Sequence, residues 1–404
     1  MNVNNLKKSP KRFSTKYLSE LNLQGYGEDN LYPQRITSII GGSSIGGSCL
    51  DRYVTFIEGN GFDSTEFSQF VCNRFGDTID DILHLVALDL GKYHGFAVHV
   101  NYDAMGKICE LQHIHFEDTR LEEEDDNGYV SHIALHPDWT GLKTRNGKAI
   151  KINKNTVKKL FPFNPRPEVV MNQIEFSGGI ENYCGQILWF SMDGRYQYPK
   201  PIYDKVVTSL STDEGIDNVL YRNARNNFMI AGALIHKKGT LIGMDDDGNP
   251  IDSQERDEMF GENLNTFLGD TNAASIMDIT YENEEDKPSF LNFRGTNFDK
   301  EFDSTSERIS AKIYSAFQQE VWYLISIGKI GFGGEVLKDA YKSYNSFVSP
   351  ERRAISRAFA RIFEHWTPDD LVPLTDNFEI QPLVWVVEQE ITENNITNEI
   401  KNNE

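Results

Sequence analysis

Apolar positions recur at the spacing of one helix face between about 77 and 92, through Ile79, Ile82, Leu83, Val86 and Leu90. The period then drops to two at Phe96, Val98 and Val100. The turn-forming run Asp103-Ala104-Met105-Gly106 leads back into Ile108, Cys109 and Leu111, which predicts a β-hairpin. Further strands are expected near 129–136 and 184–192, the second ending in Asp193-Gly194, a hairpin-turn signal. The first half therefore reads as α+β, with one helix packed on antiparallel strands.

Pro199 and Pro201 break this pattern, and helix begins near Tyr203, with Tyr203, Val206, Val207 and Leu210 on one face. Ser211 and Glu214 form a capping-box pair that predicts a restart carrying Ile216, Val219 and Leu220. Residues 228–290 mix short strands, a turn at 245–250 and a helix near 253–268. Ser304 and Glu307 predict the start of a helix that carries Ile309, Ile313, Ala316, Phe317 and Leu324 and stops at Gly328. A glycine-rich link over 328–334 precedes a helix at 335–344. Ser349 as cap with Pro350 at the first helical position then predicts a helix reaching about His365.

Residues 1–25 read as a flexible basic arm with Lys7, Lys8, Lys11, Arg12 and Lys16. After Trp385 little remains to bury, so 386–404 is expected to be disordered.

Charge changes the picture more than composition does. The 404 residues hold 61 acidic against 40 basic side chains, a formal net charge of −21. Nucleic-acid binders that grip their ligand show a basic footprint, because phosphate contacts supply strong, salt-dependent affinity. A surface this acidic suits either an ordinary soluble protein or one that faces DNA without holding it. Cys49, Cys72, Cys109 and Cys184 are scattered, which argues against a zinc ribbon or a disulfide scaffold and fits a reducing compartment. No uncharged apolar run reaches the ~18 residues of a membrane span, and the basic start lacks a signal-peptide core.

Signals for chemistry are weak. His94, His99, His113, His115, His132 and His136 crowd into strand-like sequence, and His113 and His115 share a face. With Glu117 or Asp118 nearby such a set can ligate a metal, though no His-Glu-x-x-His pattern occurs. Residues 41–47 (GGSSIGG) match neither phosphate-binding glycine motif, which favours a turn or close packing of small residues. The acidic runs Glu122–Asp126 and Asp245–Asp247 lack EF-hand spacing. No nucleophile elbow is present. No catalytic residue, metal ligand or cofactor is assigned from the sequence.

In the helix after Pro350, Ile355, Ala358, Phe359 and Ile362 share one face. Arg353, Arg357 and Arg361 step by four along the other. This row is either solvated or a contact with carboxylates or phosphates, and acidic neighbouring subunits are the expected partners. Lys143, Arg145, Lys148, Lys151, Lys154, Lys158 and Lys159 form the densest basic stretch, a second source of such contacts or a solvated loop.

Four segments, in order, resemble portal proteins of tailed bacteriophages. The first is Tyr26–Phe62, with its aromatic-Gly start, Asn30-Leu31-Tyr32-Pro33, small-residue segment and Gly59-Asn60-Gly61-Phe62 close. The second, 85–118, has the helix, glycine, strand, turn and strand of a wing region. The third, 199–235, has a helix ending in Arg222-Asn223 before a small-residue strand, and the fourth runs from Phe267 to the helix at 304–327.

The resemblance implies a portal-like α+β fold with a wing at 26–198, a stem helix at 199–227 and a small mixed clip at 228–290. It places a second stem, tunnel loop, wing and short crown helices in 291–385. It also implies a homo-oligomeric ring, usually of twelve subunits, at one capsid vertex of the virion, assembled in the host bacterial cytoplasm. Double-stranded DNA passes through such a ring without sequence recognition. The implied partners are the terminase large subunit, the capsid protein and a head–tail adaptor, and no membrane. Arg294, Asn297, Asp299 and Lys300 are the expected tunnel-loop, DNA-facing positions, and Arg353, Arg357 and Arg361 the expected subunit-interface positions. Packaging ATP hydrolysis belongs to the terminase in this family, so no enzymatic activity is implied. Two other readings stay open: a metal-dependent hydrolase built on the histidine-rich strands at 94–136, and another phage-like capsid or connector subunit.

Overall fold

A computed structural model describes residues 16–142, 144–145, 148–225, 230–237, 275–281, 298–331, 333–367 and 377–385. The chain divides into two units, Met1–Leu210 with Ser310–Glu404, and Ser211–Ile309. The division falls inside two helices of 19 residues each, α6 (Val207–Arg225) and α7 (Phe298–Ala316). No helix among the described residues is long and apolar enough to cross a membrane.

The first unit is built on one mixed sheet. Its strands are β1 (Tyr17–Leu18), β2 (Leu23–Gln24), β3 (Gly95–Tyr102), β4 (Ile108–Ile114), β5 (Thr119–Glu122), β6 (Ile133–Leu135), β9 (Lys158–Pro162) and β10 (Gln186–Ser191). They lie in the order β1-β2-β5-β6-β9-β10-β3-β4, antiparallel except for the β9–β10 pair. A two-strand ribbon, β7 (Thr144–Arg145) with β8 (Lys148–Ala149), stands apart.

Helices α1 (Tyr32–Gly42), α2 (Ser44–Glu58), α3 (Thr65–Ser68), α4 (Ile79–Tyr93) and α5 (Pro167–Phe176) accompany the sheet. Past α7, residues 310–385 contribute the rest of that helix with α8 (Glu320–Ser326), α9 (Gly334–Phe347) and α10 (Ser349–Phe363). The α+β class holds, but several helices serve a mixed sheet rather than one helix an antiparallel one.

Local chemistry explains α4 at both ends. Thr78 Oγ1 accepts from the Asp81 N–H while Asp81 Oδ2 accepts from the Thr78 N–H, a reciprocal cap. His94 takes the left-handed conformation, φ 66°, and its N–H closes on Leu90 O. Gly91 lets α4 lie close on α2, since a Cβ there would sit 2.6 Å from Val54 Cγ2. The glycine run at 41–47 ends α1 and starts α2. Ser43 Oγ caps the Gly46 N–H at 2.9 Å, and a side chain on Gly46 would collide with Leu210.

Five sequence expectations fail in detail. Asp193-Gly194 turns the chain, but no strand returns: Pro199 and Pro201 cannot donate to a ladder, and the chain goes on into a 3-10 turn at Ile202–Val206. Ser211 restarts nothing, because α6 runs unbroken through it. Ser304 lies inside α7, which begins at Phe298. The helix expected to reach Gly328 is two, parted where Gln318 adopts φ 53°. Ser349 is the first residue of α10, and no side-chain cap is made there.

The break at Gln318 has a buried purpose. Gln319 is fully buried, donates to Cys49 O and Tyr344 OH at 2.8 Å each, and accepts from Arg52 Nη1 at 2.8 Å. It thereby fixes α2, α9 and the start of α8 in one network.

The other buried hub is Arg120, whose guanidinium donates to Asn30 O, Glu117 O and Thr119 O at 2.7–2.8 Å. It also stands over the rings of Tyr26 and Trp139. Burial pulls its pKa down to about 10, with Tyr198 and Tyr26 acting in the opposite direction.

Residues 377–385 return to the end of α2. The Asn60 N–H donates to Gln381 O and the Gln381 N–H to Gly61 O, both at 2.8 Å, and Phe62 bridges Ile380. Gly59 carries φ 63°, and a Cβ there would fall on Gln381 O.

In the second unit, β11 (Ile230–Lys237) and β12 (Ser275–Tyr281) pair in parallel, with a register shift between Ile230 and Gly232. The helix expected at 253–268 lies outside the described residues.

Candidate functional site

The described surface holds a groove in the first unit between α10 and β10. Its α10 wall follows from the heptad-like pattern of that helix. Ile355, Ala358, Phe359 and Ile362 are buried, which leaves Arg353, Arg357 and Arg361 exposed one turn apart. Ala354 and Ala358, beside the arginines, are short enough to leave space at their feet.

The opposite wall is β10, from Ile187 to Ser191, with Phe163 just beyond β9 at one end and Arg195-Tyr196 at the other. Phe163 is held there by its N–H bond to Ile187 O at 2.8 Å. The space enclosed is about 740 Å³.

Among the described residues, four arginines meet in this groove and no carboxylate lines it. Arg361 stands over the Phe163 ring at 5.3 Å and Arg195 over Tyr196 at 5.1 Å. Tyr196 in turn stacks beside Trp189, ring centres 6.4 Å apart. Arg353 Nε donates to Ser349 O at 3.3 Å, within its own helix. Guanidinium groups stay charged at any ordinary pH and present forked donors suited to carboxylate or phosphate. Planar apolar walls beside them lower the local dielectric and strengthen such contacts.

Arg352, the neighbouring arginine, serves the interior instead. It donates to Asn345 Oδ1 at 2.9 Å, Asn345 O at 2.6 Å and Phe56 O at 3.3 Å, and its burial lowers its pKa.

The other sequence candidates are not brought to this place. Asp299 and Lys300 fall in the first turn of α7, and Arg294 and Asn297 lie outside the described residues. The histidines disperse onto separate partners: His113 Nε2 to Asp89 at 2.8 Å, His132 Nδ1 to Glu122 at 2.7 Å, and His99 Nε2 to Cys184 O at 2.7 Å. His113 and His115 do adjoin, ring centres 5.2 Å apart. Yet among the described residues no three His, Cys, Asp or Glu side chains are grouped to hold a metal ion. The metal-dependent hydrolase reading finds no support in this arrangement.

Glu122 leaves the acidic run for an internal task, taking Lys159 Nζ at 2.7 Å as well as His132. Lys159 of the basic stretch thus already has a carboxylate partner within its own chain. Asp245–Asp247 lie outside the described residues.

Arg195, Phe163 and Tyr196 escape sequence reading. Arg195-Tyr196 follows Asp193-Gly194, a signal for a turn, and nothing in the pattern links that turn to α10.

No family model and no curated protein matches the sequence. Solved structures do match. A chain in the virion of a native gene transfer agent particle is 11% identical, with 92% of this chain and 88% of that one covered and a TM-score of 0.44. A chain in the neck of an empty particle of the same kind is 12% identical, covering 93% and 89%, with a TM-score of 0.43. A portal protein of an HK97-family phage from Corynebacterium diphtheriae is 11% identical, covering 72% and 85%, with a TM-score of 0.33.

Proposed function

We propose that this chain is the protomer of a portal ring of the tailed-phage type, a structural protein rather than an enzyme. The observation that carries the reading is the insertion of Ser211–Ile309 into the first unit. The chain leaves that unit within α6, returns within α7, and adds α8, α9 and α10 to the unit that holds the sheet. A wing made from both ends of the chain, two stem helices and an inserted clip require this order, and the four portal-like sequence segments fall along it.

In this reading the acidic surface lines or surrounds a tunnel through which duplex DNA moves. Like charge repels phosphate at close range, and the missing counterion-releasing contacts keep the strand from being held. Arg294, Asn297, Asp299 and Lys300 would face the duplex. Arg353, Arg357 and Arg361 would face a neighbouring subunit. The ring would hold twelve copies at one capsid vertex of a virion, be assembled in the bacterial cytoplasm, and meet the terminase large subunit, the capsid protein and a head–tail adaptor.

Electron microscopy of the purified protein tests this directly. Annular particles with an open centre are expected, together with a solution mass many times 46.1 kDa. A species that stays monomeric up to high protein concentration, in low and high salt, overturns it.

A further inference from the structure

The arginine groove has the features of a receptor whose ligand is missing from its own chain. It gathers Arg195, Arg353, Arg357 and Arg361 on a protein of net charge −21, and lines them with Phe163, Trp189 and Tyr196 rather than with acids. A solvated arginine row needs no aromatic wall facing it. A partner that brings carboxylates and a flat apolar group would satisfy both halves of the groove.

One described segment of this protein has the matching composition. After β5 the chain runs through Glu123, Glu124, Asp125 and Asp126 to an exposed Tyr129. Asp125 is spent on the loop itself, accepting from the Asn127 and Tyr129 N–H groups at 2.8 Å each, and Gly128 turns the chain at φ 81°. This braces the tip and leaves Asp126 exposed, with Glu124, two residues before it, half-buried. Tyr129 beside them is 59% exposed, a flat side chain without a core to enter.

We propose that the groove receives the Glu124–Tyr129 loop of a second copy of this chain. Glu124 and Asp126 would pair with two of Arg353, Arg357 and Arg361, and Tyr129 would lie against the wall formed by Phe163 and Tyr196. Groove and loop are different patches of one chain, so the contact is head-to-tail and can repeat from copy to copy. Such contacts close into rings when the rotation between copies allows it. The proposal rests on the ring reading above and deepens it by naming the pair of surfaces.

Complementation separates this pairing from a general charge effect. One variant carries Arg353→Glu, Arg357→Glu and Arg361→Glu; another carries Glu124→Lys and Asp126→Lys. Far-ultraviolet circular dichroism and melting temperature serve as folding controls, and the milder Arg357→Gln provides a second groove variant.

Each charge-reversed protein alone is expected to weaken self-association at least about tenfold, as loss of a desolvated charge pair does. Mixed in equal amounts, the two should regain association in one-to-one proportion, because one keeps an intact loop, the other an intact groove, and the altered loop and altered groove are again opposite in charge. Arg357→Gln should weaken assembly less than charge reversal does. Wild-type rings together with unchanged assembly of both variants would sink the pairing and leave the ring intact. Absence of wild-type rings would sink the ring reading whatever the variants do. Loss of binding to a duplex DNA probe in the groove variant, with assembly untouched, would also overturn the pairing and assign the arginines to phosphate.

Discussion

The Tyr53 hydroxyl donates to Glu351 Oε1 at 2.7 Å, joining α2 to the first turn of α10 across 298 positions of sequence. Both side chains are buried, and His94 Nε2 lies 3.8 Å from the same oxygen. This bond holds the base of the arginine-bearing helix against the middle of α2.

Its chemistry makes Glu351→Gln and Glu351→Ala unequal. The glutamine amide oxygen can still accept from Tyr53 while a buried carboxylate is removed, so its melting temperature should stay near wild type. Alanine leaves the hydroxyl without its acceptor and opens a void, at a cost of about 1–3 kcal/mol. Thermal melting of both variants checks this, and equal losses would contradict it.

Alkaline pH should unfold the first unit. Burial raises the pKa of Tyr26, Tyr53 and Tyr203, and the nearby Glu351 adds to the rise at Tyr53. Above the ordinary value of 10.0 the unfolded chain loses these protons while the folded chain keeps them. Stability is therefore full below pH 10 and falls as pH climbs beyond it. Tyrosinate absorbance from these residues should appear together with loss of helical circular dichroism, not before it.

At the acid end Glu110 acts in the reverse sense. Two hydrogen bonds from the Arg74 side chain, at 2.6 and 2.8 Å, and one from Asn101 at 3.0 Å hold its pKa down to about 2 from 4.5. Its contribution is present above pH 4.5 and is lost as pH falls through about 2. Because Arg74 is solvent-exposed, the effect should be small and shrink in salt. Melting temperatures of Glu110→Gln should vary less over that window than those of wild type.

Gly59→Ala should release the returning segment. The left-handed backbone at that position resists a side chain, at a cost of order 1–3 kcal/mol, and the added methyl would strike Gln381 O. Limited proteolysis should then cut within 377–385 faster than in wild type, while α4 keeps its protection. Equal cleavage rates would show that the contact does not depend on the glycine.

Those parts of the fold were legible whose determinants lie within one short stretch. The α4 helix carries its capping residues and apolar face in contiguous sequence, and the β3–β4 hairpin carries its alternation and its Gly106 turn. The arginine row was visible for the same reason, since a helix repeats on a scale the eye can follow.

What eluded sequence reading depends on partners far away. The break at Gln318 is stabilised by Cys49, Arg52 and Tyr344, and no local propensity announces it. Ser211-x-x-Glu214 has the composition of a cap but lies within a continuous helix, where the same spacing is merely one turn. Arg195 and Phe163 join the groove only because β9 and β10 bring them opposite α10.

The return of Glu379–Pro382 to Gly59–Asp63 also sets a clock. Synthesis proceeds from the amino end, so Asp63 leaves the ribosome 318 positions ahead of Gln381, with all of Ser211–Ile309 made in between. A nascent chain can form α4 and the central strands early, but it cannot seat α10 or close this seam until the residues after Ile309 have been made. Chains that stop before α10 thus lack the groove wall through which copies would join in the proposed ring.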